Sequence, residues 1–150
     1  INGERHLVKS YAPITRTFQT KKQKGAEVDL SSVFANSVDK AVRTVTLDKK
    51  ENLEVIDRIE TGNKEATVSW IMVTPAEAKI VGQNRIELTK DGRQMLLVAD
   101  ADTNVEMKIW SNVPPHEYDF QNPGTIRVGF ETTIPANRAM QLSVQLIPLK

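Results

Sequence analysis

Hydrophobic and polar residues alternate along most of this chain with a period of two, not 3.6. Ala66, Val68, Trp70 and Met72 fall on one face of an extended segment, and Glu65, Thr67 and Ser69 fall on the other. Successive side chains of a strand point to opposite faces, so this alternation predicts a half-buried strand. Val45 and Leu47 oppose Thr44, Thr46 and Asp48 in the same way; Leu53, Val55 and Ile59 line up, with Asp57 as an exception. Residues 41–47, 53–59 and 66–73 are therefore expected to form a three-stranded antiparallel meander. Its polar links, 49–52 and 61–64, suit hairpins. Trp70 is expected to anchor the core rather than serve as a sugar platform, because aromatics bring large apolar area to a sheet.

The same pattern recurs on both sides of the meander. Asn2-Gly3 is a turn dipeptide, and residues 4–9 are expected to follow it as a short strand whose partner precedes the turn. Further strands are expected over 14–20 and over 26–30, the latter running into a helical turn at 31–36 capped by Ser31 or Ser32. Thr74-Pro75 ends the meander, because proline lacks the donor a central strand needs. Beyond it, 78–81 is short and apolar, and Ile86 and Leu88 alternate up to an Asp91-Gly92 hairpin turn. Met95, Leu97 and Ala99 continue, then a polar break at 100–103. Val105, Met107 and Ile109 mark a strand ending at Trp110. Ile126, Val128 and Phe130 mark another, and Met140, Leu142, Val144 and Leu146 a last one. About ten short strands at intervals of about ten residues predict an all-β, two-layer antiparallel β-sandwich. Residues 1–150 are read as a single domain of this kind.

Composition narrows the function classes. Hydrophobic residues are 39% and charged residues 26%, which argues against disorder. A net charge of +1 provides no field that calls for nucleic acid or an anionic membrane. No apolar run approaches the roughly 18 residues of a membrane helix. The absence of cysteine excludes disulfides, thiolate zinc sites and cysteine nucleophiles. Residue 1 is Ile, so a cut chain is expected, and missing targeting signals then decide nothing.

Candidate chemistry is sparse. His6 and His116 are the only histidines and are expected to be ordinary surface residues. The Asp100, Asp102, Asn104 spacing is suggestive of a calcium loop but lacks the glycine and bidentate glutamate that such a loop needs. No nucleophile elbow, P-loop or dinucleotide fingerprint occurs. No catalytic or metal-ligating residue is assigned. Two groups are candidate ligand contacts. One is basic: Lys21, Lys22 and Lys24, expected as a solvated hairpin tip or as a contact for an acidic ligand, with Arg5 and Arg16 adding positive charge in the same part of the chain. The other surrounds the irregular stretch 111–124, where Trp110, His116, Tyr118 and Phe120 lie among prolines. Its aromatics are expected to pack on the sandwich; the alternative is a binding loop on a rigid sheet.

The run GAEVDLSSVFANSVDKAVRTVTLDKKENLEVIDRIE, followed by VSWIMVTPAEAKI, resembles the C-terminal β region of the heparinase II/III-like polysaccharide lyases. That resemblance rests on a Val-Asp-Leu segment with a following Phe, then paired strands, then a strand carrying a Trp. It covers most of the chain. It implies a parent enzyme with an N-terminal α/α toroid that cleaves acidic polysaccharides, glycosaminoglycans among them, by β-elimination. It also implies that the catalytic groups, and the divalent metal of some relatives, lie upstream, so that this part has no cofactor of its own. A periplasmic or secreted location follows from the same resemblance. The competing readings are a stand-alone carbohydrate-binding or adhesion module and an interaction domain of unrelated ancestry.

Overall fold

The computed structural model describes residues 1–4, 7, 9–114, 116 and 118–149. Among these residues there are eleven strands: β1 (Ile14–Gln19), β2 (Gln23–Asp29), β3 (Lys40–Asp48), β4 (Leu53–Glu60), β5 (Ala66–Thr74), β6 (Glu77–Gly82), β7 (Arg85–Lys90), β8 (Arg93–Ala101), β9 (Glu106–Ser111), β10 (Ile126–Ile134) and β11 (Ala139–Leu149). They form two antiparallel sheets. The larger has eight strands in the order β1-β2-β3-β4-β11-β8-β7-β6; the smaller has three, β5-β10-β9. The all-β sandwich expected from the alternation is thus the observed fold.

The core lies where the two sheets face each other. Val55, Ile59, Leu142, Val144, Leu97, Ala99, Ile86 and Leu88 point inward from the large sheet. Ala66, Val68, Trp70, Val128, Phe130, Ile134 and Met107 meet them from the small one. Trp70 and Phe130 are register partners whose rings lie parallel with centroids 6.3 Å apart. Trp70 is 8% exposed, the core anchor its alternation predicts.

The expected meander forms only in part. β3 and β4 pair through a tight turn in which Asp48 Oδ1 accepts the backbone N–H of Lys50 and of Asn52. β5 leaves that sheet and pairs with β10 instead. The reason is local. The Thr61 hydroxyl donates to the Pro135 carbonyl at 2.6 Å, and the Thr61 N–H donates to the Arg138 carbonyl at 2.8 Å. The end of β4 is thereby tied to the β10–β11 link, so both connections change sheet at one corner. Gly62 sits in that corner, where an added Cβ would stand 2.8 Å from Asp39 Oδ1. A period of two fixes which residues face inward but not which strand is the neighbour.

Two smaller expectations are also corrected. The described residues among 4–9 (Glu4, Leu7 and Lys9) carry no strand; Arg5, His6 and Val8 lie outside the described residues. The turn before them does form: Asn2 and Gly3 have φ of 54° and 68°, and the Glu4 N–H donates to the Ile1 carbonyl. The helical turn after β2 is a short 3₁₀ segment, Ser31–Val33, with no side-chain cap from Ser31 or Ser32; Asp29 Oδ1 accepts the Ser31 N–H instead.

Candidate functional site

The basic candidates sit on the β1–β2 hairpin at one end of the large sheet. The Thr20 hydroxyl oxygen accepts the N–H groups of Lys22 and Gln23, shaping the turn that carries Lys21 and Lys22. Lys21, Lys22 and Lys24 are exposed. Arg16 lies 5.3 Å over the Phe18 ring and pairs with Glu27 Oε2 at 3.3 Å. Its charge is already partly matched, whereas the lysines are open point charges. Arg5 lies outside the described residues.

The aromatic candidates lie on the other side of the molecule. Trp110 is half-buried on the outer face of β9, opposite Arg127 of β10. The Arg127 Nε donates to the Ser111 carbonyl at 2.9 Å, which holds the guanidinium beside the strand end. His116 and Tyr118 stack on each other at 4.9 Å. Tyr118 and Phe120 are each 84% exposed, so the expected packing on the sandwich is not found for these two rings. The loop bonds to itself instead, through Asn112 to Thr125 and Thr125 to the Asn122 carbonyl. Because β9 approaches β6, the far end of the large sheet from β1, the fold does not bring the basic residues of the β1–β2 hairpin and the aromatic group together.

Two charged arrangements escaped the sequence reading. Arg43 of β3 and Asp57 of β4 are register partners facing the inter-sheet space, joined by Nε–Oδ1 at 2.7 Å and Nη2–Oδ2 at 2.8 Å. The Asp57 carboxylate beside it holds the Arg43 guanidinium above its ordinary pKa. The pair lines a cleft of about 420 Å³ with Leu30, Phe34, Val68 and Trp70. The Trp70 Nε1 is buried without a hydrogen-bond partner among the described residues. Both carboxylate oxygens are bound to the guanidinium, so Asp57 is not placed to accept a proton from a substrate. The signal for this pair was Asp57 breaking the alternation of its strand.

The second arrangement is on the outer face of the small sheet. Lys108 bonds closely to Glu131 and lies 3.3 Å from Glu106 Oε2, while the Ser69 hydroxyl donates to Glu131 Oε1. The bond to Glu131 holds the Lys108 ammonium above its ordinary pKa, and Lys108 in turn holds Glu131 below its own. Among the described residues, no group of three or more His, Cys, Asp or Glu side chains could hold a metal ion, and no helix is long and apolar enough to cross a membrane.

An antiparallel sandwich with unequal sheets defines the class; its relatives narrow it. No family model matches the sequence, and no curated protein matches it. Solved structures do match by fold. A crystal structure of heparinase III superposes with a TM-score of 0.71 at 13% identity, over 92% of this chain and 21% of that one. A second heparinase III structure gives 0.67 at 13% identity, over 93% and 22%. The heparan sulfate lyase HepC from Pedobacter heparinus gives 0.62 at 16%, again over 93% and 22%. The chain spans about a fifth of the length of these structures, and what it shares with them is the fold. The resemblance seen in the sequence is present in three dimensions.

Proposed function

We propose that this chain is the β-sandwich part of a heparinase II/III-like polysaccharide lyase, packing against an N-terminal α/α toroid that performs β-elimination on an acidic polysaccharide. The observation that supports this is the fold match over 92% of the chain to a part amounting to 21% of heparinase III. On this reading the parent enzyme is periplasmic or secreted, its metal, where present, lies upstream, and the sandwich supports the catalytic cleft without carrying its base. β-Elimination needs a base beside the uronate carboxylate and donors that stabilise the developing charge. The one deeply placed carboxylate of the cleft described above, Asp57, is already bound to Arg43 on both oxygens.

The test compares two purified proteins: the full-length polypeptide containing these residues, and the 150-residue chain alone. Heparin, heparan sulfate and alginate are the substrates, and absorbance of the unsaturated product is the readout. Turnover by the longer protein and none by the shorter is expected; turnover by the shorter overturns the proposal. The exposed lysines of the β1–β2 hairpin are expected to give only weak, salt-sensitive binding of sulfated chains, since such charges act within about 10 Å at ordinary salt. The 84% exposed Tyr118 and Phe120 support a second reading, a stand-alone carbohydrate-binding or adhesion module. Tight binding that salt does not weaken favours it.

A further inference from the structure

The sandwich has four sheet edges, and three of them are guarded. β1 carries a bulge between Ile14 and Arg16 and the charge of Arg16 itself. β6 carries Glu77 and Lys79 and a bulge between Ile80 and Gly82. β9 carries Glu106 and Lys108 and is approached by β6. These are the devices by which sheet edges avoid pairing with another strand. β5, Ala-Thr-Val-Ser-Trp-Ile-Met-Val-Thr, has none of them: no charge, no proline, no glycine and no bulge.

β5 pairs with β10 on one side only. Its other side is engaged at a single point among the described residues. The Asn2 N–H donates to the Thr67 carbonyl at 2.7 Å, and Asn2 Oδ1 accepts the Thr67 N–H at 2.8 Å. Strand alternation turns the N–H and C=O groups of Ser69, Ile71 and Val73 to that same edge. Their outward side chains include Ile71 and Val73, 44% and 54% exposed. Beside the edge, the inner face of the large sheet continues past the small one. Val28, Leu30, Phe34 and Val45 there are only half-buried, and the cleft under Trp70 opens between the two.

We propose that the β5 edge is a strand-addition site, filled by an extended segment of the same polypeptide that runs antiparallel to β5 and leads into Ile1. This rests on the reading of the chain as one part of a longer protein, since solved structures of similar fold are more than four times its length. The Asn2–Thr67 pairing sets the register, and continuing it carries the segment past Ser69, Ile71 and Val73. The Asn2-Gly3 turn then takes the chain off the edge. The occupant has apolar side chains on both faces: one set covers Val28, Leu30 and Phe34, and the other flanks Ile71 and Val73 as cross-strand neighbours. Backbone hydrogen bonds supply the affinity and the alternate side chains the specificity, as in other strand additions.

Residue-resolved hydrogen exchange on the full-length polypeptide tests this. The amides of Ser69, Ile71 and Val73 are expected to exchange at least ~100-fold more slowly than unstructured amides, like those of a paired interior strand. Rapid exchange at those three, between slow neighbours bonded to β10, overturns the proposal. So does protection that vanishes on dilution together with a dimer, which would make a second copy the occupant. Polysaccharide cleavage by the same preparation bears on the lyase reading alone: protected edge amides in a protein without lyase activity leave the added strand standing.

Discussion

The centre of the sandwich and the loop between β9 and β10 hold the same kinds of side chain in opposite states. Trp70 and Phe130 lie parallel between two sheets, 8% and 0% exposed; Tyr118 and Phe120 stand in solvent, 84% exposed. Residue type does not separate them. What does is the backbone beneath: a paired strand presents every second side chain to the opposite sheet, whereas in the loop Asn112, Asn122 and Thr125 bond to one another and Tyr118 and Phe120 meet no partner layer among the described residues. Burial here is a property of the ladder before it is a property of the residue.

Truncating the central rings is the severest way to probe that contrast. Trp70→Ala or Phe130→Ala is expected to cost about 3–5 kcal/mol, the range for a large aromatic removed from a core. A loss below about 1 kcal/mol in denaturant melts would mean that the two sheets do not pack as described.

A smaller effect is expected at the ion pair facing the same core. Asp57→Ala leaves the Arg43 guanidinium without its bidentate partner. The Arg43 side chain is 39% exposed and can turn to water. The cost should therefore be about 1–2 kcal/mol, short of the full penalty for an uncompensated buried charge. A joint Arg43→Met, Asp57→Leu variant is expected to recover part of it, and a double-mutant cycle measures the coupling.

The outer face of the small sheet adds a pH dependence. Glu131 has its pKa lowered by Lys108, so its contribution is present above the ordinary glutamate range and is lost as pH falls through the depressed value. Melting temperature should fall on acidification more steeply in the wild type than in Glu131→Gln. Parallel acid limbs in the two proteins would show that the Lys108 contact is not formed in solution.

Tyr118→Ala should change stability least, by no more than about 0.5 kcal/mol, as for an exposed position without structural partners. A larger destabilisation in the same melts would show that the loop packs on the sandwich after all.

Much of this contrast was legible in the residues. Alternation placed Trp70, Phe130, Val144 and Leu146 on buried faces, and Asp91-Gly92 and Asn2-Gly3 marked turns that form with positive φ. The partner of β5 was not legible. Its pairing with β10 lies some sixty residues away along the chain and depends on Thr61 bonding to the Pro135 and Arg138 carbonyls, which no local pattern announces. The Arg43–Asp57 pair was half-legible. Asp57 stood out as a polar residue in an apolar series, but naming its partner needed the β3–β4 register. The separation of the basic hairpin from the aromatic loop needed the strand order of both sheets.

The position of β11 sets a condition on synthesis. It lies between β4 and β8, so β1–β4 and the β6–β8 group share a sheet only through a segment made after both. A growing chain has neither its large sheet nor the inner wall of its core until residues 139–149 have left the ribosome. Until then β4 and β8 each have an edge that lacks its partner, and the β4–β11 pairing joins segments far apart in the sequence, which makes folding slow and the waiting chain prone to association.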